Sequence, residues 1–506
     1  MSAVMEAAPP AERTASRDSW AAVLALARFE ARRLLMSVPV IVGFLAYVAW
    51  IVWSARDYAD GYPALQNVDR ATQGGPLLVG LAVLLAVNQA VLRSGRQDTE
   101  RHFGVLVMSA GRRTAAHLLS VVPAVLLTAV CVTGQFGWEA LKSGALGRGS
   151  VSELLVGPLT VLLFGAVGVL MARLVASTFA APLLLVVFLF FFVLGTGLGG
   201  ESGWVRWLYP VVGEMSNDTL PSDLIGRPAL WHAVYLAGLG LSLALLAVLM
   251  GGGGRARSAR ALFVGALALT VLGGTAQAQG VSAKTTAARE RVTFHPEQVQ
   301  TCVERAGSRY CAFPEWRGRT ADWASVVDQV QSLAGGTAHD QRLLVRQRID
   351  ATYGLDGDAA IPPSKAAHQV TVGTNWGGNR VPEFSAAVAA VLIAGDEDAA
   401  GGMCDGRMVT LMWIALAWES DPITQLRHVR LDDSVTGSAI VLSPTNSMSM
   451  TEGQTTVVRK LLERPRGEVE AKVKSRWSEL TAPKVTTAQV AELLGVDAKV
   501  KADSCD

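Results

Sequence analysis

Gly251, Gly252, Gly253 and Gly254 form the longest glycine run in the chain. A phosphate-binding loop needs such a turn followed by Lys and then Ser or Thr, so that backbone amides and an ammonium group hold phosphate oxygens. This run leads instead into Arg255 and Ala256, and it comes after a long apolar stretch, so it reads as a helix terminator. Other chemistry is equally hard to place. No His-Glu-x-x-His pair is present to bind zinc, and no Gly-x-Ser-x-Gly elbow to present a nucleophile. His295, His339, His368 and His428 share no ligand spacing. The acidic turn at Asp396, Glu397 and Asp398 and the pair Asp432 and Asp433 read as solvated loops. No catalytic group, cofactor or metal is expected. The cysteines carry a different message. Cys131 falls in an apolar run, whereas Cys302, Cys311, Cys404 and Cys505 all come after residue 278. An even set on an exported side suits disulfides, Cys302 with Cys311 in a small loop and Cys404 with Cys505, reduced buried thiols being the alternative.

The elements around these residues are set by hydropathy. Half of the residues are hydrophobic and 17% are charged, where a soluble protein carries about a quarter charged. Residues 1–278 hold 20 Lys and Arg against 15 Asp and Glu, and residues 279–506 hold 25 against 28. In the first part the basic residues cluster between long apolar runs, the pattern of a chain that crosses a bilayer rather than one that binds nucleic acid. Arg outnumbers Lys 36 to 9, as GC-rich bacterial genomes encode. A spanning helix needs roughly 20 apolar residues. Candidate runs lie near 38–53, 76–92, 115–136, 154–174, 179–198, 231–250 and 261–276. With the N-terminus inside, the inside segments carry 14 basic residues and the outside segments before the seventh run carry six. This bias places the N-terminus in the cytoplasm of a bacterial cell and, after seven spans, residues 279–506 outside the plasma membrane. No central run has an Asp, Glu, Lys or Arg in its middle, which argues against ion-coupled transport.

Two cytoplasmic stretches stand out. After a polar tail, residues 19–36 form a helix on which Trp20, Leu24 and Ala27 share a face with Leu35, and Arg28, Arg32 and Arg33 gather at the end. Such a helix suits the membrane surface. The loop from Arg93 to Arg113 runs through Glu100 and Arg101 to Gly104, then through four apolar residues, Val105 to Met108, and on to Arg112 and Arg113. A loop that only set topology would not need the apolar quartet. It predicts a short amphipathic helix whose apolar face requires a partner.

This order resembles the first cytoplasmic loop of ABC-2 type transporter permeases. The resemblance implies that Glu100, Arg101, Gly104, Leu106, Met108, Arg112 and Arg113 form a coupling element docking into a separate ATPase subunit. It covers roughly residues 19–250. The basic helix leading to Ser37, Val38 and Pro39 is similar to the family's connecting helix. The long loop with Trp204, Trp207, Tyr209 and Pro210 corresponds to a region that forms re-entrant helices in the family. The family's function implies a membrane subunit of an ATP-driven exporter, embedded in lipid and paired as a homo- or heterodimer with a second permease subunit.

The chain beyond residue 250 lies outside the family pattern. Residues 251–278 read either as a seventh span or as a signal-like segment with a cleavage point after Ala278. In residues 279–506 helices are expected near 320–333, 339–352, 383–394, 406–419, 452–464, 467–480 and 486–494, and strands near 368–374 and 438–443. The stretch from Cys302 to Arg317 resembles exported domains of actinobacterial ABC permeases, some of them similar to peptidases without their metal motif. The expected architecture is an α-helical polytopic membrane bundle, six core transmembrane helices plus a seventh, with an α+β extracytoplasmic domain after it. Its divisions are a tail and interfacial helix (1–36), the transmembrane domain (37–250), the seventh segment (251–278) and the exported domain (279–506). The alternative to a permease is a membrane-anchored sensor or scaffold whose exported domain binds an envelope ligand or partner.

Overall fold

The computed structural model of the protein describes residues 12–58, 61–96, 108–197, 205–211, 219–253, 257–355, 361–445 and 447–497. The chain divides into two compact units. The first comprises 1–59, 63–214 and 227–281, the second 60–62, 215–226 and 282–506.

The first unit is helical. Its helices are α1 (Glu12–Leu35), α2 (Val38–Ser54), α3 (Leu65–Ala71), α4 (Gly74–Arg96), α5 (Ala110–Leu119), α6 (Val122–Ala140), α7 (Val151–Leu174), α8 (Ala180–Gly197), α9 (Ala229–Val248) and α10 (Arg257–Gln277). Hydropathy marked seven spans. Among the described residues five helices are long and apolar enough to cross a membrane, or six if Trp20–Leu35 and Val38–Ser54, bent by 59°, form one broken span. The difference lies in length. α2 has 17 residues, and α8 is a shorter apolar helix over Ala180–Leu194. The run expected at 115–136 is two helices, α6 carrying Pro123 in its first turn, where the missing amide costs nothing.

Small residues let these helices approach. α4 packs along α7 and α2, and α9 along α7 and α10. A Cβ at Gly168 of α7 would stand 2.5 Å from Leu84 O of α4. A Cβ at Gly238 would meet Thr270 N at 2.6 Å, and one at Gly273 would meet Tyr235 N at 2.6 Å, so α9 and α10 touch backbone to backbone. Large apolar side chains such as Leu126, Val186, Phe190 and Leu262 are exposed on the unit's surface. That surface suits lipid, where apolar exposure carries no penalty.

The second unit is α+β. Its sheet has the order β1 (Thr301–Arg305), β2 (Ser308–Ala312), β3 (Leu344–Gln347), β4 (Gln369–Val372), with β1 antiparallel to β2 and the other pairs parallel. The hairpin closes over Ala306 and Gly307, both at positive φ, the conformation that matches strand twist in a two-residue turn. Cys302 pairs directly with Cys311 across it, and the two form a disulfide. Cys404 is also disulfide-bonded, and Cys505, its expected partner, lies outside the described residues. Helices α11 (Ala283–Phe294), α12 (Thr320–Leu333), α13 (Arg380–Ala394), α14 (Glu397–Gly401), α15 (Arg407–Leu416), α16 (Pro422–His428), α17 (Glu452–Leu462), α18 (Arg466–Ser475), α19 (Trp477–Leu480) and α20 (Thr487–Leu494) complete it, with a second small sheet of β5 (Ala439–Val441) and β6 (Met448–Met450). α12 and α13 pack on the sheet, α15 on α13 and α17 on α15. Residues 382–392 of α13 are all buried, so it is a central helix enclosed by its neighbours.

The expected helix at 339–352 is instead a short 3-10 turn, Gly336–Asp340, leading to strand β3. Leu343, Val345, Gln347, Ile349 and Ala351 are buried in strict alternation, the period of a strand. Gln347 hides that period in the sequence because it is polar. Buried, it accepts from Phe313 N at 3.0 Å and donates to Gly373 O at 3.2 Å. Strands β1, β2 and β6 were likewise missed.

Candidate functional site

The first unit has a proximal end, where α1 meets α2, and a distal end, where α3 lies. At the proximal end α1 presents Val23, Ala27, Ala31 and Leu34 inward, one residue every helical turn. Trp20 and Leu24, which share the expected membrane-facing side with Ala27 and Leu35, are exposed beside it, whereas Ala27 is buried. Val23 and Ala27 form a buried cluster with Ala116 of α5, packed by Leu26 and Met108. Glu30 of α1 meets Arg93 of α4 at 3.4 Å. The turn between α1 and α2 is closed by Ser37 Oγ donating to Leu34 O at 2.6 Å.

Of the expected docking residues, Glu100, Arg101, Gly104 and Leu106 lie outside the described residues. Met108 is the one that packs in the cluster on α1. Arg112 and Arg113 are half-buried in the first turn of α5. The glycine run has a role that the terminator reading did not give it. Leu249–Gly253 is a π-helical turn with Gly252 at φ +100. A Cβ at Gly251 would stand 2.3 Å from Thr114 Oγ1, so the run lets the end of α9 close onto α5. The helix after the loop is thereby seated on α1 and on the end of α9 together.

At the distal end the structure assembles a buried charge cluster that sequence reasoning missed. Arg227 Nη1 lies 3.5 Å from Glu153 Oε1 and 3.6 Å from Asp69 Oδ1, and it donates to Gln66 O at 3.2 Å. Asp69 also accepts from Arg70 N at 2.6 Å and Ser150 N at 2.8 Å, while Gln73 Nε2 donates to Glu153. Each residue sits in a helix end or loop, where a charge looks solvated in the sequence. Only their convergence from α3, α7 and the segment before α9 shows otherwise.

Among its described residues the long loop contributes two 3-10 turns, Val205–Leu208 and Ser222–Leu224. Trp207 is buried and its carbonyl accepts from Gln277 Nε2 at 3.1 Å. Gln277 also meets His232 Nδ1 at 3.1 Å, and Thr160 donates to Pro210 O at 3.3 Å. Trp204 lies outside the described residues.

In the second unit, the acidic turn is not a solvated loop. Glu397 is buried, accepts from Ser364 N at 2.7 Å and from Thr371 N, and lies 3.6 Å from Arg348. Burial pushes its carboxyl above the usual range, against the pull of those donors and of Arg348. Asp432 is bound by Arg430, which holds it well below that range. Glu397 thus joins its turn to Ser364 and to β4, and Arg430 also donates to Thr455 Oγ1 of α17 at 2.9 Å. Among the described residues no group of three or more His, Cys, Asp and Glu is placed to hold a metal ion.

Comparison of the chain with family models, with curated proteins and with solved structures gives no match.

Proposed function

We propose that the chain is the permease subunit of an ATP-driven ABC-type exporter, working with a separate ATPase subunit and paired with a second permease subunit. In this reading the proximal end is cytoplasmic and the second unit lies outside the cell membrane, where the Cys302–Cys311 disulfide persists. ATP hydrolysis belongs to the partner, since this chain carries no phosphate-binding loop.

The observation that carries the reading is the seating of Met108 against Val23, Leu26, Ala27 and Ala116. The loop that resembles a coupling element ends on α1 and continues directly into α5. Through Thr114 and Gly251 the same helix reaches the end of α9. A push on residues 97–107 by an ATPase would therefore be passed to a basic surface helix and to a candidate span. Exposed Trp20 and Leu24 on α1 suit a membrane surface.

The test is a pulldown of the tagged full chain from its host in mild detergent. The reading expects a P-loop ATPase in stoichiometric amount, lost in Leu106→Asp while the chain stays folded. A second reading, a membrane-anchored sensor or scaffold, rests on the second unit's having its own core and disulfide. Recovery of envelope proteins held through residues 282–506, with no ATPase, would favour it.

A further inference from the structure

The segment from Thr219 to Ile225 belongs to the second unit, although it is flanked in sequence by parts of the first. Side chains of the second unit hold it at four points. Thr219 Oγ1 donates to Asn375 Oδ1 at 2.6 Å, and Ser222 N donates to Glu315 Oε2 at 3.1 Å. Arg289 of α11 donates from Nε to Leu224 O at 2.8 Å and from Nη2 to Ile225 O at 2.6 Å. Leu220 and Leu224 are buried. Arg289 is buried too, and Gly354 makes its room: a Cβ there would stand 2.0 Å from Arg289 Nη1. A planar guanidinium directed at two successive carbonyls grips the main chain itself.

The chain leaves the second unit at Gly226, with φ +68, and enters the first at Arg227. Arg227 is the cation of the distal charge cluster, and α9 begins two residues later at Ala229. Between the gripped carbonyl of Ile225 and the anchored Arg227 stands one residue. Two residues of fully extended chain reach only about 7 Å. Slack of that size cannot absorb a movement of the grip without loading the cluster.

We propose that residues 219–227 are a tether through which the second unit and the distal charge cluster stabilise each other. Release of Leu224 and Ile225 by Arg289 loosens Arg227 from Asp69 and Glu153, and loss of the Arg227 pairs loosens the grip of Arg289. Coupling of this kind is reciprocal by thermodynamic necessity. It makes the second unit a regulator of the start of α9. The inference is independent of which partner binds the proximal end.

Hydrogen exchange on the full chain in lipid nanodiscs tests it. Arg289→Ala and, without touching the guanidinium's own chemistry, Gly354→Ala should speed exchange in residues 219–226. Each should also speed exchange in residues 65–73 and 150–155, by about ten-fold or more for Arg289→Ala, which removes two charge-assisted bonds. Arg227→Gln should speed exchange in residues 286–292 in return. Should Arg289→Ala not fold, Glu315→Ala and Asn375→Ala, which take away the acceptors of Ser222 N and Thr219 Oγ1, should give smaller rises in the same two places. Faster exchange confined to the unit that carries the substitution, in every variant that folds, overturns the tether. The readout needs no ATPase, so its failure would leave the permease reading untouched.

Discussion

Arg227 and Glu153, 74 residues apart in sequence, meet at 3.5 Å with side chains only 5% exposed. Burying a guanidinium is costly unless carboxylates and carbonyls surround it, and removing one member strands the others. Arg227→Gln should therefore destabilise the first unit by about 3–5 kcal/mol. Arg227→Lys should cost less, because it keeps the charge while losing the fork. Denaturant unfolding in detergent micelles measures both. A loss for Arg227→Gln no larger than that for Arg227→Lys would show that the charge itself contributes nothing.

Gly273 tests how α10 is held. Its Cβ would stand 2.6 Å from Tyr235 N, a main-chain atom that cannot give way. Gly273→Val should separate α10 from α9 and cost about 1–3 kcal/mol or more. Gly134→Ala is the control, since its Cβ would meet nothing within 4 Å. It should be neutral or stabilising by about 0.5–1 kcal/mol, the helical preference of Ala over Gly. Thermal unfolding of the two variants, with protease cleavage near residues 254–260, reads the difference.

The stability of the second unit should peak on the acid side of neutrality. Burial raises the carboxyls of Glu383 and Glu397 above their ordinary 4.5, so the folded state holds their protons more tightly than the unfolded state. Their contribution is fully present below pH 4.5 and is lost as pH rises through the elevated values. Asp432 acts the other way. Its lowered value gives stability that is present above 3.8 and lost as pH falls through the folded value. Unfolding monitored by tryptophan fluorescence should show stability rising as pH drops from 7 toward 4.5, then falling in stronger acid. Glu397→Gln should reduce the first slope. A profile with no rise between pH 7 and 5 would contradict the account.

The Cys302–Cys311 bridge closes a loop with a sequence separation of nine. In the chain-entropy account, a loop of that size is worth about 2–3 kcal/mol. Cys302→Ser with Cys311→Ser should lower the unfolding free energy of the second unit by that amount. Hydrogen exchange resolved segment by segment identifies which unit has moved.

Legibility in the sequence tracked the range of the interactions. The apolar runs of α4, α7, α9 and α10 were readable because burial in lipid or in a bundle needs only a long local stretch of apolar residues. α12, α13, α17 and α20 were readable for a similar reason: caps and helical periodicity lie within a few residues of each other, as in the capping boxes of Thr451 with Gln454 and Thr486 with Gln489. α1 was readable as a helix, but Ala27 of its apolar face is buried with Val23 and Ala116 while Trp20 and Leu24 stay exposed, a division that periodicity alone cannot make. β3 was taken for a helix because the buried Gln347 interrupts its alternation.

By itself the sequence determined most of the long apolar helices, the loop that resembles a coupling element and the cysteines available for pairing, since each depends on neighbours along the chain. The tertiary structure decided where the charges go. Arg227, Asp69 and Glu153 look solvated one at a time, and Glu397 looks like part of a surface turn. A buried charge is tolerated only with partners, and those partners came from distant segments whose meeting no local pattern encodes.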